Sequence, residues 1–231
     1  MQALLWHALD GAHKGSVQCD LCAHGCRLKK GDKGLCGVRA NSNGELVTLV
    51  GNVVTAVNMD PVEKKPLYHF LPGSRTFSIG SAGCNFFCKY CQNSSIAHIP
   101  PSGLVPGKRA TPEDLIVLAQ ENHVRSMAFT YNEPTVFFEL VYETAGLAIA
   151  RDIRCLLVTN GYMSEECLQA LSRRVCAVNV DLKSFRDSFY RQYCGARLQP
   201  VLDNLKAMRK LGWWLEVTTL IIPGVNDSAA E

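Results

Sequence analysis

From Thr76 to Ile222 the chain alternates short β-branched or apolar runs with longer amphipathic stretches, and this alternation constrains its fold more than any other feature. Repeats of that kind bury a parallel sheet beneath helices. Strands are predicted at TFSIG (76–80), SMAFT (126–130), CLLVT (155–159), AVNVD (177–181) and LEVTTLII (215–222). The segment TPEDLIVLAQEN reads as a helix with Thr111 as N-cap, Pro112 at the first helical position and acids in the first turn. Further helices are predicted near 136–151, 165–173 and 201–211. Five strands do not close a barrel, and the last residues, IPGVNDSAAE, place the cap-like Asp227 and Ser228 before no helix. The expected fold class is therefore α/β, a partial barrel that is C-terminally incomplete.

The residues before the first strand have a different character. A cysteine-rich stretch, CDLCAHGCRLKKGDKGLCGVR, leads into the short-strand segment ELVTLVGNVVTAV and then DPVEKKPLYHFLPGS. Two domains are expected: an N-terminal Cys-rich metal-binding module at 1–72 and the barrel at 73–231. The start of the chain lacks a basic, apolar and small-residue leader, and no apolar stretch approaches the roughly 20 residues of a membrane span. A cytoplasmic location without membrane contact is expected. Seven of the eleven cysteines fall in two tight groups, which suits metal binding in a reducing compartment better than disulfides. A net charge of +3 without a basic stripe gives nucleic-acid binding no support.

In parallel βα proteins, chemistry collects where strands deliver their carboxyl ends. Cys84, Cys88 and Cys91 follow the first predicted strand, Asn132 and Glu133 the second, Asn160 the third, and Asp181 and Lys183 the fourth. The spacing C-x3-C-x2-C can bind three irons of a cubane and leave the fourth open. It also fits a structural zinc with His98 as fourth ligand. Asp181 and Lys183 read equally as a solvated ion pair, and Thr130 and Asn132 as helix caps.

The cysteine triplet, with Tyr90 at the aromatic position of C-x3-C-x-aromatic-C, resembles the radical S-adenosylmethionine (SAM) superfamily. CQNSSIAH, TYNEPTVFFE, VTNGYMSEE, DLKSF, FYRQYCGARLQPVLDNLK and EVTTLIIPGVNDS look like the radical SAM enzymes of the AmmeMemoRadiSam system, which are similar to pyruvate formate-lyase activating enzymes. The resemblance implies a partial (β/α)6-type radical SAM barrel and a [4Fe-4S] cluster on Cys84, Cys88 and Cys91, with SAM chelated to the open iron. It implies that Glu133 accepts from the SAM ammonium, and that Asn132, Asn160, Asp181 and Lys183 line the SAM or substrate side. The implied reaction is reductive cleavage of SAM to a 5'-deoxyadenosyl radical, which abstracts hydrogen from a substrate the sequence does not name, proteins among the candidates. An external electron donor such as flavodoxin or ferredoxin is implied as partner. The alternatives are a glycyl-radical-enzyme activase and, outside SAM chemistry, an iron–sulfur electron-transfer protein or a zinc-stapled interaction module.

Cys19, Cys22, Cys26 and Cys36, spaced C-x2-C-x3-C-x9-C, can close a tetrahedral zinc site or hold a second iron–sulfur cluster, with His24 able to replace one thiol. These cysteines precede the triplet, whereas activating enzymes with extra clusters carry theirs after it. Cys155, Cys167 and Cys176 read as packing residues, whereas Cys194 in YCGAR is either a packing residue or one with a role of its own.

Overall fold

The structure is a computed structural model and describes residues 1–100 and 102–229. Its centre is a six-stranded sheet formed by β1 (Ala56–Pro61), β2 (Arg75–Gly80), β3 (Ser126–Phe129), β4 (Arg154–Thr159), β5 (Ala177–Asp181) and β6 (Trp214–Thr218), in the order β6-β5-β4-β3-β2-β1. β2 to β6 are mutually parallel, and β1 pairs antiparallel with β2 through Asn58 and Ser78. β1 lies before residue 72, so the segment assigned to the N-terminal module supplies one edge of the barrel sheet. The sequence gives no sign of this, because antiparallel addition to an edge depends on a partner distant in sequence.

Four helices follow the strands: α1 (Pro112–Glu121), α2 (Phe138–Ile149), α3 (Glu165–Leu171) and α4 (Leu198–Lys210). α1 has the predicted start: the Thr111 side chain accepts from Asp114 N while Asp114 accepts from Thr111 N, a reciprocal cap. β6 is shorter than predicted. The backbone of 220–222 is spent on Asn226, whose side chain accepts from Ile222 N at 2.6 Å and donates to Leu220 O at 2.9 Å, so the strand stops at Thr218.

Strand alternation assigns opposite chemistry to the two sheet faces. Phe77, Ile79, Met127, Phe129, Cys155, Leu157, Val178 and Val180 point outward and are buried in the main core. The inner face carries Thr76, Ser78, Ser126, Ala128, Leu156, Ala177 and Asn179, mostly small or polar. Over its lower half lies a strap, residues 62–71, whose Val62, Leu67 and Phe70 pack on Ala128, Leu156 and Ala177. Asn179 Nδ2 donates to Pro66 O at 3.0 Å, and Glu216 accepts from Tyr68 N at 2.8 Å and His69 N at 3.0 Å. The strap thus crosses from β1 to β6 and floors the half-barrel, leaving it open at the strand carboxyl ends.

Ahead of the sheet, Trp6–Ala8, Val17–Cys19 and Arg27–Leu28 form a three-stranded antiparallel sheet, and Arg39–Ser42 pairs with Glu45–Thr48. Among the described residues, no helix is long and apolar enough to cross a membrane.

Candidate functional site

A cavity of about 590 Å³ opens at the carboxyl ends of the strands, and Cys84, Cys88, Cys91, Asn132, Glu133, Asn160, Asp181 and Lys183 all line it. Eight residues from four strand ends thereby share one volume. The cysteine loop after β2 is pinned by its backbone: Asn132 accepts from Ser81 N at 3.0 Å and donates to Gly83 O at 2.8 Å, while Phe87 N donates to Cys194 O at 2.8 Å and Lys89 N to Tyr193 O at 3.0 Å. The last two acceptors end a π-helical turn, Tyr190–Cys194. Phe86 N points at Cys84 Sγ at 3.4 Å, a donor that suits a thiolate. Cys194 Sγ lies 3.5 Å from the hydroxyl of Tyr90, which lines the cavity, so this cysteine belongs to the site's surround rather than to remote packing.

Two glycines make room for this arrangement. A Cβ on Gly80 would lie 2.9 Å from the Tyr131 ring, and one on Gly83, at φ +88°, would lie 2.7 Å from Val38 and 2.9 Å from Cys36 O. From the sequence, both fit either a close backbone approach to a cluster or an ordinary strand-end turn.

Glu133 is buried and spent on the fold. Its Oε1 accepts from Thr135 N at 3.0 Å and from the Thr135 and Thr159 hydroxyls, and its Oε2 from Asn160 N at 2.8 Å. Burial raises its pKa against these donors, led by the Asn160 amide. Only Oε2 keeps an acceptor position for a ligand. Asn160 is itself oriented, donating to Asn85 Oδ1 at 2.7 Å and accepting from Tyr162 N at 3.0 Å. Lys183 Nζ sits 2.8 Å from Asp181; burial pulls the lysine pKa down, but the carboxylate outweighs it and the ammonium is held charged.

The cavity has a second polar pole that the sequence reading missed. Asp60, in register with Thr76 at the start of β2, accepts from Lys65 at 2.6 Å, Lys64 at 3.3 Å and the Tyr131 hydroxyl at 2.8 Å. Four residues at about 3.3 Å each place this pole about 13 Å down the strand from Gly80. Lys65 is buried and stands 4.4 Å from the centre of the Tyr131 ring. Tyr131 takes the left-handed conformation at φ 72°, and its carbonyl accepts from Asn93, beside Cys91, at 2.6 Å. A non-glycine residue in that region marks a site that the surrounding structure over-determines. No local signal in DPVEKKPLY marks the pole, because it forms only when the strap folds onto the sheet.

Burial raises the Asp60 pKa, but the Lys65 and Tyr131 hydrogen bonds and the Lys65 charge bring it to about 2. A carboxylate with a depressed folded pKa stabilises the protein above its unfolded pKa, and that stability is lost as pH falls through the folded value. Asp60→Asn should therefore lower stability at pH 7, with the gap to wild type shrinking as pH falls from about 4 towards 2. Urea titrations across that range check it, and a gap independent of pH would remove the charge from the explanation.

Of the four N-terminal cysteines, Cys36 stands next to the cysteine loop after β2, its carbonyl 2.9 Å from where a Cβ on Gly83 would lie. Burial pushes the Cys22 thiol up to about 12 and that of Cys36 to about 11. His24 spends its Nε2 on Asn85 O at 2.7 Å, and His98 stacks on Phe87 with ring centres 5.6 Å apart. Among the described residues, no three His, Cys, Asp or Glu side chains converge closely enough for one metal ion.

An open parallel half-barrel with a cysteine triplet and polar strand ends around one cavity defines a cofactor-dependent α/β enzyme class. The profile of the Radical SAM superfamily matches residues 78–231, more than half of the chain, and the chain belongs to that superfamily. A protein of Methanocaldococcus jannaschii described as uncharacterised is 39% identical over 227 residues, covering 98% of this chain and 66% of its own length. The GTP 3',8-cyclase of Helicobacter pylori is 26% identical over 151 residues, 62% of this chain and 46% of the cyclase. Streptococcus suis SuiB, solved with S-adenosylmethionine, matches 62% of this chain and 34% of its own with 15% identity and a TM-score of 0.48. The chain spans just under two thirds of the first relative and less of the others. Members of the superfamily are enzymes that use a [4Fe-4S] cluster and SAM. The donor set here fits that requirement: three thiols without disulfides, one of them facing a backbone N–H, at the edge of a cavity with a fixed carboxylate and an ammonium.

Proposed function

We propose that Cys84, Cys88 and Cys91 hold the [4Fe-4S] cluster and that SAM occupies the cavity beside it, with Glu133 Oε2 taking its ammonium and Lys183 its carboxylate. The observation that carries this reading is the convergence of the three thiols and the polar ends of β3, β4 and β5 on one cavity. When bound, the reduced cluster and SAM supply a 5'-deoxyadenosyl radical for hydrogen abstraction. The chain's own residues do the rest. Asn132 fixes the loop that presents the thiols, Asn160 and Thr159 hold Glu133 in one rotamer, and Asp181 keeps Lys183 charged. The strap closes the base of the half-barrel and keeps bulk water from that side. In this reading residues 1–72 form the metal-binding module, which lends β1 to the barrel of 73–231, and the protein works in a reducing compartment, the cytoplasm. The resemblance to AmmeMemoRadiSam enzymes makes hydrogen abstraction from a substrate the first assignment; copurification of a large glycyl-radical partner would move it to an activase.

The test is anaerobic reconstitution followed by measurement of 5'-deoxyadenosine under dithionite, and zinc bound at the triplet in place of iron would overturn the reading. Glu133 gives a sharper measurement. Glu133→Ala removes both the ligand contact and four fold contacts, so Glu133→Gln, which keeps the shape, is the better variant. Iron content should be unchanged while SAM affinity falls about ten- to hundred-fold, the cost of about 1.5–3 kcal/mol for a charged hydrogen bond. Equal affinity in titrations would take Glu133 out of the SAM site.

A further inference from the structure

We propose that Asp60, Lys64, Lys65 and Tyr131 form the subsite for the substrate's carboxylate, and that the substrate is a small carboxylic acid lying between this pole and SAM. The proposal deepens the SAM reading and rests on it, since SAM must occupy the other end of the same cavity.

The charges at this pole do not balance. The strap turn Val62–Lys64 and the residue after it bring two consecutive ammoniums to one carboxylate, Lys65 Nζ at 2.6 Å from Asp60 Oδ2 and Lys64 Nζ at 3.3 Å from Oδ1. Two positive charges against one negative leave one positive charge over, which is the complement of a single carboxylate. A phosphate dianion would leave a negative charge uncompensated in the cavity. The Lys65 side chain is 4% exposed, and Asp60 takes one of the three N–H donors an ammonium carries. Burial outweighs Asp60 and lowers the Lys65 pKa, so this one carboxylate does not offset the loss of water. A second carboxylate on the same ammonium would form a charge-assisted hydrogen bond where little water competes. Tyr131 fixes the geometry: its hydroxyl donates to Asp60 Oδ2 at 2.8 Å and accepts from Asn58 Nδ2 at 3.0 Å. All five residues line the cavity.

The strap does not need both lysines to stay in place. Val62, Leu67 and Phe70 pack it on the sheet, Asn179 holds Pro66 O, and Glu216 holds the amides of Tyr68 and His69. Fastening accounts for Lys65 but not for Lys64, whose side chain is 71% exposed and whose ion pair contributes little to stability. Nor does it account for the link from the pole to the cysteine loop, which runs through Tyr131: hydroxyl on Asp60, carbonyl on Asn93.

Size sets the class of acid. A cavity of about 590 Å³ is the room one drug-sized ligand takes, and SAM is such a ligand, so only a small molecule fits beside it. With its carboxylate held by Lys64 and Lys65, that molecule would present its carbon chain along Val158 and Thr218, the lining between the two poles.

The probe is trifluoroacetate, a small monoanion, followed by fluorine NMR line broadening on the anaerobically reconstituted full chain with SAM. Broadening is expected, and acetate and propionate should reverse it. Inorganic phosphate competing as well as acetate would overturn the choice of a carboxylate. Lys65→Met should weaken binding at least about tenfold, the loss of one charged hydrogen bond. Because that change strands Asp60, two further variants guard against misfolding: Asp60→Asn with Lys65→Met, which removes both buried charges and should bind as poorly, and Lys64→Gln at its exposed position, which should bind about two- to fivefold more weakly. Wild-type affinity in both would overturn the proposal and leave the pole as a strap anchor. Displacement of trifluoroacetate by SAM would overturn it equally, since the pole would then hold SAM's own carboxylate. 5'-Deoxyadenosine formation by wild type under dithionite, with no acid added, reports on the SAM reading alone. Its absence while trifluoroacetate still binds would sink that reading, and with it the assignment of the acid as substrate.

Discussion

Cys88→Ala is expected to abolish 5'-deoxyadenosine formation altogether while the chain stays folded. The site offers only three thiols to its cluster, so losing one removes a third of the protein ligation. The loop survives because its hold on the protein runs through backbone atoms: Phe87 N and Lys89 N on the π-helical turn, Asn132 on Gly83 O, and Cys91 N on Cys88 O at 3.1 Å. The side chain itself lines the open cavity. The thermal midpoint should therefore move by little, with iron per chain falling by the share of one cluster. Retained SAM cleavage in this variant would sink the assignment of the catalytic site. Unfolding would show instead that the cluster holds the loop, a result the iron count and circular dichroism separate from loss of chemistry.

Glu139→Ala should cause the largest loss of stability of any single change considered. Glu139 and Arg39 form an ion pair at 2.9 Å with both side chains 1% exposed, and Glu139 also accepts from Leu4 N at 2.8 Å. The pair fastens the N-terminal hairpin to α2. Removing the carboxylate strands a buried guanidinium, which costs about 3–5 kcal/mol. At about 2–4 °C per kcal/mol for a chain of this size, the midpoint should fall by roughly 6–20 °C. Replacing both partners, Arg39→Met with Glu139→Leu, should recover much of that loss, because desolvation of the charges offsets most of their attraction. A single variant within about 1 kcal/mol of wild type would mean that water or another anionic group reaches the stranded guanidinium.

Local pattern carried much of the architecture. The five parallel strands, the Thr111–Pro112 helix start and the association of the cysteine triplet with Asn132, Glu133, Asn160, Asp181 and Lys183 were legible because period-two and 3.6-residue patterns are set by neighbouring residues. Strand carboxyl ends then collect whatever polar groups follow them. The tertiary structure decided the rest, and each such feature joins residues far apart: Arg39 with Glu139 across 100 positions, Tyr131 with Asp60 across 71, Glu216 with the Tyr68 amide across 148. It also made β1 a member of the barrel sheet, turned Glu133 into a fold contact as well as a candidate ligand, and set Cys194 against Tyr90. A buried lysine and an exposed one look alike in sequence. Their difference is created when folding removes water and supplies a partner, and that partner's identity is fixed by the packing of elements rather than by any pattern within them.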